Sequence, residues 1–414
     1  MPLNSRHTGQ GRVTERRYDI DWLRAVATLA VFLYHCTRFF DTEGWHLKNP
    51  QQSQLLFVLM RGLIWPWVME LFFVLSGVAT WYALRSRSAG PYLWERVKRL
   101  LVPLYTVGLF LLLPPQAYFE VLTNSGYRGS FWQLVPRYFA ALRLPRISPW
   151  PESLLPIPFG GHLWFLQYLF LISLLTLPLL LYLRSEQGRR WITRCAGWCD
   201  RRGGIFVAVI PLAAALIGLR GLFRAQRSWA DFVWYAIYFV IGYVMASDER
   251  FTEAIKRHQG ICLTMWGLAF GGGIGLLVLV LGYDPFPGHE SFSLLYVLYQ
   301  VAWSIASWSA VVSVLSIGAR HLNSNHRLLA YANEGLLPFY LLHQTVILLV
   351  GFVIIPWNLG ILPKLLLIAV VSFALILVVY GLLVRPFNAV RFLFGMRPKE
   401  KALAGRVSQR GTLG

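Results

Sequence analysis

The stretch that decides the fold is DWLRAVATLAVFLYHCTRFF, Asp21 to Phe40. It is long enough and apolar enough to cross a bilayer, for which about 20 residues of helix suffice. Yet it carries Asp21, Arg24, Thr28 and His35 at spacings of three, four and seven. At 100° per residue these side chains share one helix face. Ionisable groups facing lipid are costly, so that face has to turn into a bundle of other helices, and each group on it becomes a functional candidate. Arg24 and His35 are eleven residues apart, about three turns and roughly 16 Å along the axis. Arg24 therefore belongs near the entry end of the helix and His35 beyond the midplane.

Working outward, the same character extends along the chain. Of 414 residues, 56% are hydrophobic, 15% aromatic and 14% charged, and mean hydropathy is +0.51. A soluble domain carries roughly 25% charged residues. Apolar runs long enough to span recur at 20–40, 66–86, 99–115, 163–183, 204–222, 230–247, 261–282, 293–317, 335–355 and 363–384. The reading is an all-α polytopic bundle of about ten transmembrane helices, with Trp and Tyr supplying belts at both interfaces. Segment 55–65 either extends the second helix or lies at the interface. Segment 131–144, FWQLVPRYFAALRL, mixes aromatics with Arg137 and Arg143 and reads as an amphipathic interfacial helix.

Charge gives the orientation. With the N-terminus inside, the inner segments hold Arg6 to Arg17, Arg85 to Arg99, Arg184 to Arg202, Arg250 to Arg257, Arg320 to Arg327 and the residues from Arg385 onward. They carry roughly three times the Lys and Arg of the opposite loops, which puts both termini in the cytoplasm. The outer cluster Arg220, Arg224 and Arg227 runs against that trend. The outer connection 116–161, rich in Pro and aromatics, reads as a lid over an outward-facing site or as a passive surface loop.

Three function classes lose support. The net charge of +20 sits in short loops and not on one face of a folded domain, so nucleic-acid binding is not expected. Four cysteines give no disulfide framework. Cys195 and Cys199 are four apart, and a zinc site would need two further ligands that are not nearby, so no metal is expected. The apolar run after the polar N-terminus contains Asp21, Arg24 and His35, unlike the core of a cleavable signal.

Other polar groups fall at useful depths. Glu70 opens MELFFVLSG, with Ser76 deeper; His162 precedes LWFLQYLF; His343 lies in LLPFYLLHQT. A carboxylate beside an imidazole orients it and raises its basicity, which suits general-base chemistry. In WERVKRLLVP, Arg96 and Arg99 share a face at the inner end of the third span. They are either plain topology-setting charges or a clamp for a diphosphate or 3′-phosphate.

With these motifs in order, the chain resembles the acyltransferase-3 family of bacterial membrane acyltransferases over about residues 18–395. The resemblance rests on Leu23, Arg24 and His35; on FFVLSG from Phe72 to Gly77; on Arg96, Arg99 and Pro103; on Trp164 to Leu166; and on Pro338 to His343. Glu70 stands in MELFF where many members have an acidic residue in a GVDLFF-type segment. The stretch from Trp45 and His46 to FFVLSG looks most like the branch that includes the glucan succinyltransferases.

The resemblance implies transfer of an acyl group from cytoplasmic acyl-CoA, with acetyl-CoA or succinyl-CoA as donor, to a hydroxyl of a carbohydrate or lipid-linked acceptor in a bacterial inner membrane. Arg24, Arg96 and Arg99 would hold the donor's nucleotide, with Asp21 orienting Arg24. His35 would be the general base, with Glu70 and His343 as further catalytic residues. His162 and Trp164 would lie on the acceptor side. The expected organisation is a cytoplasmic tail at 1–19, a transmembrane domain at 20–390 and a basic tail at 391–414. A periplasmic partner or a second copy of the chain would be compatible. The competing reading is a transporter or flippase using the intramembrane Asp, Arg and His as a permeation or proton path.

Overall fold

In the computed structural model, which describes residues 17–141, 161–224, 226–270 and 293–399, the opening stretch is one helix, α1, Tyr18–Thr37. Its faces divide as the spacing requires. Val26, Leu29 and Leu33 are exposed at about 44% each, the surface a lipid-facing stripe presents. Leu23, Ala27, Thr28 and Val31 are buried on the other side.

The further helices among the described residues need naming only where they position the site. Helices α2, Gln54–Leu63, and α3, Val68–Ser86, join into a 33-residue rod from Gln54 to Ser86, so segment 55–65 extends the second span. The next rod, Ala89–Asn124, starts as α4, Ala89–Arg96, and ends as α5, Leu113–Asn124. Between them lie wide π-type turns at Val97–Leu101 and Leu104–Leu112. Pro103 separates the two and has no N–H to donate, which is where a helix interior loosens. Helix α6, Phe131–Ala141, buries Leu134 and Tyr138 and exposes Trp132. That is the amphipathic pattern expected for 131–144, of which 142–144 lie outside the described residues.

Helices α7, Trp164–Leu175, and α8, Leu177–Arg184, bend by 49° across Thr176. Then come α9, Glu186–Cys199, and α10, Val209–Leu219. Helix α11, Trp229–Met245, turns by 111° into α12, Glu249–Arg257. Helix α13 covers Gln259–Leu268. The last long helices are α14, Leu294–His321, α15, Arg327–Ile354, and α16, Ile361–Val379, before the short α17, Asn388–Leu393.

The described residues form an all-α polytopic bundle, without strands among them. Among the described residues, five helices are long and apolar enough to cross a membrane, and up to seven if each bent pair is one span. Helix α1 is not among them although it has 20 residues; its polar stripe lowers its hydropathy. The charged segments at 184–202 and 250–257 contain amphipathic helices. In α9, Ile192 and Ala196 are buried beneath exposed Arg189 and Arg190, and in α12 Phe251, Ala254 and Ile255 are buried. The two helices touch through Arg250 Nη2, which donates to Thr193 O at 3.4 Å.

Helix α1 packs against α3, α14, α15 and α16, which places its polar face at the centre. Helices α3 and α11 make the most extensive contact of any pair. A Cβ on Gly77 would lie 2.0 Å from the Phe239 carbonyl oxygen, and one on Gly242 would lie 2.0 Å from that of Val74. Two glycines facing the opposite backbone let these helices approach as small residues do in membrane bundles.

Candidate functional site

At the C-terminal end of α1 the bundle opens into a cavity of about 630 Å³. Its wall comes from one end of the molecule: the last turns of α1 and α10, the first turns of α3, α7, α11 and α14, the body of α5 and the middle of α15. The size falls within the range typical of small-molecule sites, and the wall mixes aromatic surface with a few convergent polar groups, as such sites do. Trp45, Trp65, Trp164, Trp234 and Trp303 line it, with Tyr235, Tyr299 and Tyr340.

Three histidines far apart in sequence meet here. The His343 ring lies 4.9 Å from that of His35 and 4.8 Å from that of His162, both edge-to-face. Hydrogen bonds fix their tautomers. His35 Nδ1 donates to Val31 O at 2.8 Å; since a carbonyl only accepts, the proton is on Nδ1 and Nε2 keeps its lone pair. His343 Nδ1 likewise donates to Tyr340 O at 2.6 Å, and its buried Nε2 has no hydrogen-bond partner among the described residues. His162 differs, because both of its nitrogens are used. Nε2 donates to Leu341 O at 3.1 Å, and Nδ1 accepts from Gln116 Nε2 at 3.2 Å. His35 and His162 line the cavity, whereas His343 is only 1% exposed and does not.

A chain of amides extends from this cluster. Gln116 Nε2 also donates to Thr345 Oγ1 at 2.8 Å, Gln344 Nε2 donates to Gln116 Oε1 at 3.1 Å, and Gln344 Nε2 lies 3.0 Å from His46 Nε2. His46 Nδ1 in turn pairs with Glu120 Oε2 at 2.6 Å. Gln116, Gln344, Thr345, His46 and Glu120 were not singled out from the sequence as site residues. Gln344 and Thr345 had a signal as immediate neighbours of His343, and His46 only as part of the stretch that carries the branch-level resemblance.

Glu70 is in the cavity wall but its bonding partner is not His35. Its Oε1 accepts from Trp234 Nε1 at 3.0 Å, and the buried Oε2 is unpartnered among the described residues. Trp164 also lines the cavity, tilted against Tyr235 at 5.4 Å.

The arginine candidates sit elsewhere. Asp21 and Arg24 pair at 3.6 Å near the N-terminal end of α1. Arg96 donates from Nη2 to Thr80 Oγ1 at 2.7 Å and from Nε to Tyr92 Oη at 3.2 Å. Arg99 lies 3.4 Å from Glu95, a carboxylate also shared with Arg87 and with Arg397, the latter at 3.1 Å. One carboxylate among three guanidinium groups leaves this end of the bundle cationic. None of Arg24, Arg96 and Arg99 lines the cavity. Of the connection read as a lid, 116–161, residues 142–160 lie outside the described residues; its start, 116–124, is helical as part of α5, and 131–141 form α6.

Among the described residues no group of three or more His, Cys, Asp or Glu side chains is arranged to hold a metal.

Comparison with known proteins gives the context. The chain is 24% identical to the glucans biosynthesis protein C of Salmonella typhi over 410 residues, which covers 93% of this chain and 96% of that protein. It is 25% identical to the protein of the same name from Escherichia coli O6:K15:H31 over 409 residues, covering 94% and 96%. No solved structure matches it significantly. The acyltransferase domain model of the acyltransferase-3 family matches residues 17–384, from the start of α1 to the last turn after α16. The chain is thus a multi-pass membrane protein that belongs to the acyltransferase-3 family.

Proposed function

We propose that this acyltransferase moves an acyl group from cytoplasmic acyl-CoA to a hydroxyl of a carbohydrate acceptor seated in the aromatic cavity, with His35 as general base. The observation that carries the reading is the fixed tautomer of His35, whose Nδ1 is tied to Val31 O in a cavity-lining position. A lone pair is thereby held ready on Nε2, as a general base requires. The names of the relatives, and a wall of indole and phenol rings interleaved with amides, support a carbohydrate acceptor.

In this reading Nε2 takes the proton of the acceptor hydroxyl as its oxygen attacks the thioester carbonyl. The new C–O bond forms, the C–S bond breaks, and the imidazolium returns its proton to the departing thiolate. His343 holds the His35 ring edge-on, and His162, with both nitrogens engaged, fixes the wall through Gln116. Arg24, Arg96 and Arg99 form the inner cationic patch that would hold the donor's phosphates, and Asp21 orients Arg24. Glu70 then contacts the acceptor and does not orient the base. Ten spans with both termini in the cytoplasm of an inner membrane, the tail boundaries at 19 and 391, and a possible periplasmic partner or second copy complete the proposal.

The test is turnover. Purified protein in nanodiscs should release free thiol from at least one of a panel of acyl-CoAs only when a glucan is present. A transporter would instead move substrate across liposomes with no acyl donor. Thiol release that does not depend on any acceptor, or none with any donor, counts against the proposal.

A further inference from the structure

The cluster Arg220, Arg224 and Arg227 lies on the side of the bundle where the positive-inside rule expects few cations. Its local structure is unusual. Arg227 is the one non-glycine residue with a left-handed backbone among the described residues, at φ 62°. Such a conformation is strained for a residue with a side chain and persists where the surroundings hold it. Here Asp231 holds it: Oδ2 accepts the Arg227 backbone N–H at 2.6 Å, while Oδ1 takes the Arg220 guanidinium. Asp231 thus neutralises one arginine and pins the turn that presents the other.

The cavity wall contains three arginines, Arg38, Arg220 and Arg227. Arg38 is bound to Asp41 and Glu43, and Arg220 to Asp231. The Arg227 guanidinium makes neither an ion pair nor a side-chain hydrogen bond among the described residues; Asp231 and the phenols of Tyr168, Tyr340 and Tyr235 bear on its charge without bonding to it. A planar, permanently charged fork left free on the exposed part of the cavity wall matches a carboxylate or phosphate.

We infer that Arg227 is the anion-binding residue of this cavity, holding an anionic substituent on one of the two substrates. The substituent is either the free carboxylate of a dicarboxylic acyl chain or a phosphate carried by the acceptor. The assignment to a transfer substrate rests on the proposed function; the anion site itself does not.

Two measurements keep these apart. The first is binding without turnover: succinate and inorganic phosphate are titrated against detergent-solubilised protein, read by tryptophan fluorescence. At least one should bind wild type, and Arg227→Gln should weaken it by about tenfold or more, in line with loss of a charge-assisted hydrogen bond. Arg227→Lys should restore part of it, since the charge remains but the fork does not. The second compares KM for succinyl-CoA against propionyl-CoA, and for a phosphate-bearing glucan against a neutral one. A rise confined to succinyl-CoA in Arg227→Gln identifies the acyl carboxylate, and one confined to the phosphorylated glucan identifies the acceptor. If neither anion binds wild type, or if Arg227→Gln leaves anion binding unchanged, the inference is overturned. A KM raised equally for all four substrates overturns the assignment to a substrate group. If no substrate turns over but Arg227-dependent anion binding persists, the proposed reaction fails and the anion site stands.

Discussion

Three imidazoles in one edge-to-face cluster differ chiefly in what each still has free. His162 has spent both nitrogens on Leu341 and Gln116. His35 and His343 each keep Nε2, but only His35 lines the cavity. The two candidates should therefore separate by kinetics. Loss of a general base costs typically 10²–10⁴-fold, so His35→Ala should fall in that range. His343→Ala removes only a ring that backs His35 and should cost about tenfold, an order below that base range. Rates of thiol release for both, on protein that still elutes as a folded species, decide it; equal losses would move the base to His343. At this scale the sequence was readable where cost speaks. His35, His162, His343 and Glu70 stood out because polar groups in apolar helices need a reason. Gln116, His46 and Glu120 did not, because they lie near helix ends or in connections where polar residues are ordinary. That Glu70 bonds to Trp234 depends on how α3 packs on α11, 164 positions away in the chain, and no local pattern encodes that.

Helices were legible as hydropathy runs, and the long rods fall where those runs lie. The amphipathic α9 and α12 were not, because their arginines mask an i, i+3, i+4 apolar set such as Phe251, Ala254 and Ile255. The contact between α3 and α11 was equally hidden: a glycine in FFVLSG reads as a motif letter until Phe239 is found against it. Gly77→Leu must push these helices apart, and overpacking a tight contact costs about 1–3 kcal/mol. A lower thermal unfolding midpoint in detergent is expected, and an unchanged midpoint would contradict the close approach. The arginine pair belongs to this scale too, since Arg96 closes α4 and Arg99 sits on the π-turned segment that follows it. Replacing both with alanine should raise KM for acyl-CoA by tenfold or more and leave that for the glucan nearly unchanged, as expected for lost charge-assisted contacts to phosphate. Equal rises for both substrates would make them topology charges only.

Across the whole molecule the polar groups divide between the two ends of α1. The cationic cluster of Arg24, Arg96, Arg99 and Arg397 gathers around the N-terminal end, and the cavity with His35 opens at the other. On the proposed function the two substrates approach from these opposite ends and meet at His35. The direct measurement uses uniformly oriented proteoliposomes, with labelled acyl-CoA supplied only on the side of the N-terminus and glucan sealed on the other. Labelled glucan is expected from wild type, and at least a hundredfold less from His35→Ala. Labelled glucan only when both substrates share one side, or at undiminished rate from His35→Ala, would contradict it.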